Sequence, residues 1–137
     1  MTHAVTSEAE AVYRAYIDAE NSRDRPAMEA CLSPALAVAI NGVTQLADRD
    51  ADAAATDRLL ESYADYRRDI LSLGSYTGPR GITVVAEWSM NGTSDSAAMP
   101  RLSVFGCTLA LVEWQDGRAV ITGARLYVDP TALAHVL

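Results

Sequence analysis

Lysine is missing from this chain, whose eleven basic residues are all arginine. Without a lysine amine there is no Schiff-base nucleophile, no anchor for pyridoxal phosphate and no lysine-type phosphate loop. Histidine is almost missing as well, since His3 and His135 stand near the two ends. A Ser-His-Asp or Cys-His nucleophile needs an internal imidazole. A metal site would have to be built from carboxylates alone, and none falls at ligand spacing. Cys31 and Cys107 lie far apart between apolar neighbours, the pattern of two buried thiols rather than a disulfide. No apolar run approaches the roughly 18 residues of a spanning helix, and residues 1–7 lack the basic and apolar regions of a signal peptide. These absences predict a soluble, cytoplasmic protein with no metal and no cofactor.

What is present points to one domain over residues 1–137, half of them hydrophobic and so able to bury a core. Eighteen acids against eleven bases give a formal charge of -7. Such a chain repels phosphate backbones and anionic lipid, so nucleic acid and membrane are not the expected partners; a small molecule is.

Ser7 and Glu10 form an S-x-x-E capping box, and Val12, Tyr13, Tyr16 and Ile17 follow on one face, predicting a helix to about Asn21. Asp24 caps a second, short helix with Pro26 in its first turn, ending before Pro34. Residues 35–40 read as a strand, and Asn41-Gly42 as the hairpin turn that returns it along 43–47. A third helix is expected over 50–68, its acids at the positive end and Arg67-Arg68 at the negative one. From Asp69 onward the pattern is β: strands over 69–76, 81–91, 102–114 and 118–129, with Asp116-Gly117 as a tight turn. A last helical turn is expected over 131–136. Helices segregated from an antiparallel sheet make an α+β domain. Long, twisted strands would curl around the helices and leave a conical cavity.

The order and the residues together resemble the nuclear transport factor 2-like superfamily and, within it, the SnoaL-like polyketide cyclases. Four segments carry the likeness: Tyr13-Arg14-Ala15-Tyr16 running into Asn21-Ser22-Arg23-Asp24; Leu59 through Arg67 with its aromatic-x-Asp step; Glu87 through Ser94; and Asp116 through Val120 leading to Arg125-Leu126-Tyr127-Val128-Asp129. The resemblance implies a cone-shaped α+β barrel, three N-terminal helices in a highly curved, mostly antiparallel sheet, and a homodimer packed through that sheet.

For function it implies a cofactor-free cyclase or isomerase acting on a polyketide-like intermediate. In the family an aspartate ending the last strand is the general acid/base, and Asp129 matches that place. Strand alternation sets Arg125 and Tyr127 on the same face, where they would stabilise developing negative charge. The competing reading is that Asp129 only caps the turn opened by Pro130. Tyr16 falls where ketosteroid isomerases carry a phenolic donor, or is an ordinary core tyrosine. Their base aspartate would sit where this chain has Ile40 or Asn41. Limonene epoxide hydrolases use an Asp-Arg-Asp set, of which Arg125 and Asp129 could be two members with no third. Trp88, Met90 and Phe105 line the cavity or belong to the core. Asn41 serves the turn first and a ligand second, while Tyr63 stands near a cavity mouth. Ser94 replaces a histidine common in the family and cannot titrate near neutrality. The segment 92–101 reads as a lid or as a plain surface connection. The alternatives to a cyclase are an epoxide hydrolase or hydratase on the same cavity, and a non-catalytic ligand-binding domain.

Overall fold

A computed structural model describes residues 2–94 and 101–132. Helices α1 (Thr2–Asn21) and α2 (Arg25–Ala30) are followed by β1 (Leu32–Ile40), β2 (Val43–Leu46), α3 (Arg49–Ser62), β3 (Arg67–Thr77), β4 (Ile82–Gly92), β5 (Leu102–Gln115) and β6 (Arg118–Val128), and the described chain closes on a 3-10 turn, Pro130–Ala132. The six strands form one sheet in the order β2-β1-β6-β5-β4-β3. Every pairing is antiparallel except β1 with β6. Register shifts interrupt β1, β3 and β5. Such bulges add local twist and bend, and the single mixed sheet curls around the helices as an α+β cone.

The turns follow their residue chemistry. Asn41 and Gly42 both take positive φ (49° and 86°), as do Asp116 and Gly117 (55° and 77°), the backbone that two-residue hairpins need. Asp24 and Asp48 cap α2 and α3, accepting from the amides of Ala27 and Ala51 at 3.2 and 2.8 Å.

Three expectations are corrected. First, α1 starts at Thr2, so Ser7 is inside the helix; the Glu10 carboxylate accepts instead from Ser75 Oγ at 2.6 Å, tying α1 to β3. Second, β1 starts at Leu32 and carries Pro34, tolerated because the register breaks between Leu32 and Ala37. Third, α3 stops at Ser62, and Arg67-Arg68 open β3. Asn21 explains the third. Its amide donates to Arg68 O and accepts from Arg68 N, both at 2.8 Å, so the end of α1 acts as a strand-like partner for the start of β3. Of the expected turn over 131–136, residues 133–136 lie outside the described chain, as do residues 95–100 of the expected lid.

Along each strand the apolar set faces the helices. Val84, Ala86, Trp88 and Met90 of β4, Val104 and Ala110 of β5, and Leu36, Val38 and Ile40 of β1 are buried against Tyr13 and Ile17 of α1 and Leu59 of α3. No described helix is long and apolar enough to cross a membrane.

Candidate functional site

Where α1 and α3 bridge the concave face, the packing leaves a cavity of about 80 Å³. Its apolar wall comes from β1, β2, β5, β6 and α3, including Leu36, Val38, Ala110, Ala124 and Leu59. Its polar groups are Tyr13, Tyr16 and Glu20 of α1, Asp52 and Thr56 of α3, Arg68 of β3 and Thr108 of β5.

Helix periodicity assembles the first part of this set. Tyr13, Tyr16 and Glu20 are spaced i, i+3, i+7 and share the face of α1 turned to the sheet. Glu20 is 1 % exposed and is neutralised by Arg68, whose Nε lies 3.2 Å from Oε2 and whose Nη2 donates to Oε1 at 3.3 Å. Tyr66 joins them, donating to Glu20 Oε2 at 2.9 Å and accepting from Arg68 Nε at 3.0 Å. The guanidinium also stacks on the Trp88 ring, 4.8 Å from its centroid. Trp88 Nε1 donates to Thr108 Oγ1 at 2.8 Å. Arg23, in left-handed backbone geometry, donates to the carbonyls of Ala64 and Tyr66 and pins the loop that delivers Tyr66 and Arg68.

Asp52 is different because, among the described residues, no cation pairs with it. Tyr16 OH donates to its Oδ2 over a long 3.5 Å. Burial pushes its pKa up to about 6, with the Glu20 charge adding to the rise and Arg68, Tyr16 and Arg25 opposing it. Arg25 is engaged elsewhere, in an ion pair with Asp57. The phenols move the same way. Burial raises Tyr16 well above an ordinary tyrosine, helped by the charges of Asp52 and Glu20. Burial also raises Tyr13, against the pull of Arg68. Both hold their protons at neutral pH and are hydrogen-bond donors. The Tyr13 hydroxyl is buried near Arg68 and Thr108 yet makes no hydrogen bond of good geometry. A buried hydroxyl without a partner is costly in a native protein, and in a cavity it marks a place for a ligand oxygen.

Of the residues singled out from the sequence, Tyr16 lines this cavity and the others do not. Asp129 is exposed, and its Oδ1 accepts from both N and Oγ1 of Thr131 at 2.9 Å. Those bonds hold its pKa below the ordinary value, the opposite of the desolvated carboxyl that acid/base work there would require. Arg125 and Tyr127 share a strand face with it, as alternation predicts, but it is the outer face, where Phe105 is also 71 % exposed. The inner positions of β6 are Ala124, Leu126 and Val128. Asn41 clasps the backbone of Val128, donating to its carbonyl at 2.9 Å and accepting from its amide at 3.0 Å, so it fastens the hairpin to β6. Tyr63 is fully buried at the end of α3, its ring close against Gly92. Trp88 and Met90 are core, Trp88 supporting Arg68 from beneath. Ser94 is half-buried at the end of a described segment. Sequence reasoning missed Asp52, Glu20, Arg68 and Tyr13 as a group. The readable signal was an acid, Glu20, on the apolar face of α1. Among the described residues no three His, Cys, Asp or Glu side chains gather as metal ligands.

No protein-family model matches the sequence, and no curated protein matches it. Many solved structures share its fold. A cystatin-like-fold protein from Caulobacter vibrioides has a TM-score of 0.74 at 14 % identity, covering 93 % of this chain and 92 % of that one. An LEH-like epoxide hydrolase from M. tuberculosis has a TM-score of 0.70 at 21 % identity, covering 96 % and 86 %. A hexachlorocyclohexane dehydrochlorinase, LinA-type3, from Novosphingobium barchaimii has a TM-score of 0.74 at 8 % identity, covering 93 % and 86 %. At these identities the likeness establishes the fold, and this fold carries enzymes among its members.

Proposed function

We propose that this protein is a cofactor-free enzyme that moves a proton on an oxygenated, largely apolar substrate bound in the cone, with Asp52 as the proton-transferring group. One observation carries the reading: a half-buried carboxyl with a pKa of about 6 opens on the same cavity as proton-holding phenols. General acid/base catalysis works best with a group that titrates near the working pH, and an unperturbed aspartate does not. Ionised Asp52 takes a proton from the carbon beside a substrate carbonyl. The oxygen that gains negative charge receives the Tyr13 hydroxyl, so neither charge nor donor is left unpaired. Return of the proton to another carbon gives an isomerisation. Attack of the same enolate on a second carbonyl would give ring closure, but a cavity of about 80 Å³ suits a short substrate rather than a polyketide chain, so isomerisation is the reading kept. Arg68, its charge balanced by Glu20 and its Nε held by Tyr66, fixes these polar groups beside the cavity. A plain binding domain would have no need of a carboxyl held at this pKa.

A second reading rests on a separate feature, the acid–arginine–acid set Glu20–Arg68–Asp52 on one cavity. Two carboxyls on one cavity can share the opening of an epoxide by water, one taking a proton from the water and the other giving one to the oxygen. The two readings separate in labelled solvent. Incubation with short unsaturated ketones in deuterated water is expected to place deuterium beside the carbonyl, and Asp52→Asn to lower that exchange by roughly 10²-fold or more. Incorporation of labelled solvent oxygen from epoxides, with no carbon-bound deuterium, would select hydrolysis instead. Exchange that persists in Asp52→Asn would remove Asp52 from the mechanism.

A further inference from the structure

The floor of the cavity has a specific origin in the sheet. One inward-facing rung crosses four strands through paired residues: Val84 of β4 faces Ala110 of β5, Ala110 faces Ala124 of β6, and Ala124 faces Val38 of β1. On either side the β5–β6 pairs are larger, Thr108 with Leu126 and Val112 with Ile121. Two methyls in the centre of a rung otherwise built from branched side chains leave a dip that Tyr13 and Tyr16 of α1 do not fill, and both alanines line the cavity. Packed cores have few such voids. The same space is lined by Asp52 and by Tyr13, whose hydroxyl makes no hydrogen bond of good geometry.

Charge narrows the occupant further. The ionisable lining groups apart from the tyrosines are Glu20, Asp52 and Arg68. Glu20 already occupies Arg68 through two contacts, so an entering carboxylate or phosphate would meet Asp52 with no cation left to pair it. The volume, about 80 Å³, is well below the roughly 300–1,000 Å³ of sites for drug-sized ligands.

We infer that the substrate is a short, uncharged hydrocarbon bearing an acceptor oxygen, and that the Ala110–Ala124 pair sets the chain length the site accepts. This rests on the reading of the cavity as the reacting site. The oxygen lies at Tyr13 and Asp52, and the hydrocarbon tail lies along the alanine rung.

The test is binding, measured by ligand-observed NMR on the intact protein, with methyl ketones from butanone to octanone and with butyrate and hexanoate. In the wild type each methylene that enters the cavity gains about fourfold in affinity until the tail outgrows the floor. Ala110→Leu adds an isopropyl group over the rung. It is expected to weaken every ketone, and hexanone by at least about tenfold more than butanone, because the added atoms take up much of a cavity of about 80 Å³. Ala124→Val, a smaller intrusion on the paired position, is expected to shift the cut-off in the same direction if the leucine variant folds poorly. Butyrate and hexanoate are expected to bind at least about tenfold more weakly than the matching ketones. Equal losses across the ketone series in both variants, no loss in either, or carboxylates bound as tightly as ketones would overturn the inference. Ketones that show the length cut-off but never exchange deuterium would count against proton transfer by Asp52 and leave the size determinant standing.

Discussion

Asp52→Asn is expected to lower turnover by roughly 10²-fold or more and to make the fold more stable at neutral pH. The carboxyl moves from 3.8 to about 6 on folding. Each unit is worth 1.36 kcal/mol, so ionising Asp52 in the native state costs up to about 3 kcal/mol more than in the unfolded chain. The sign follows from proton counting. Between pH 3.8 and about 6 the native state holds a proton that the unfolded state has released, so stability falls as pH rises through that window and stays lower above it. Asparagine keeps the shape and cannot ionise. The variant should therefore be close to wild type near pH 4 and more stable at pH 8. Because Asp52 is half-buried, solvent screening reduces the ceiling to about 2 kcal/mol.

Urea unfolding at the two pH values measures this directly. With a slope of roughly 2 kcal/mol per molar, the midpoint at pH 8 should rise by about 1 M. The pH–rate profile of the wild type should carry a limb with an apparent pKa near 6, rate rising with pH as the base ionises. Asp48 is the internal contrast. It is an ordinary helix cap, bonded to Ala51 N at 2.8 Å, and Asp48→Ala should cost about 1 kcal/mol. If Asp52→Asn is destabilising at pH 8, or if its advantage is the same at both pH values, the carboxyl is not a strained group held for chemistry and the reasoning fails.

Tyr13→Phe removes a buried hydroxyl that makes no hydrogen bond of good geometry, so stability should hold or rise while turnover falls; a loss of stability would mean that Thr108 or Arg68 satisfies it in the fold. Glu20→Gln or Arg68→Met strands one charge of a buried pair, and each should cost about 3–5 kcal/mol in denaturant unfolding; a cost below about 1 kcal/mol would show the pair to be solvated. Gly106→Ala should destabilise by about 1–3 kcal/mol, because its methyl would enter the Trp88 indole and come within 2.9 Å of Val128 Cγ1; a near-UV spectrum and midpoint like wild type would count against that packing. Asp129→Asn should leave turnover within about twofold, since its carboxylate serves Thr131 on the surface; a loss comparable to that of Asp52→Asn would return the catalytic role to the strand end.

The strands were legible because their punctuation is chemical. Asn41-Gly42 and Asp116-Gly117 can hardly be anything but tight turns, and alternation between them separates inner from outer residues. The same alternation held the answer for Asp129. If Arg125, Tyr127 and Asp129 share one face, then Ala124, Leu126 and Val128 share the other, and in a sheet covered on one side the apolar set faces the cover. The likeness to cyclases points to the strand end, but the parity of β6 places that carboxylate outside.

Asp52 was out of reach for a different reason. Residues 48, 50 and 52 are all aspartates at the start of one helix, equally suited to its dipole. Asp48 caps the helix and Asp50 is exposed, whereas Asp52 shares a cavity with Tyr16 and Glu20. What distinguishes them is which face of α3 meets the sheet; the stripe of Leu59, Leu60 and Tyr63 at its far end includes Asp52, seven residues before Leu59, only when it is carried back two turns through small residues. Arg68 was misplaced for a related reason. Beside Arg67 it reads as the basic end of a helix, and its actual place follows from Asn21, some fifty residues earlier, pairing with its backbone. Beyond Tyr16, Glu20 was the readable member of the site. An acid seven residues after Tyr13 and four after Tyr16, on the buried face of a helix, must be paired or must titrate. Asking which cation pairs it leads to Arg68, and from Arg68 to the cavity that both of them share with Asp52.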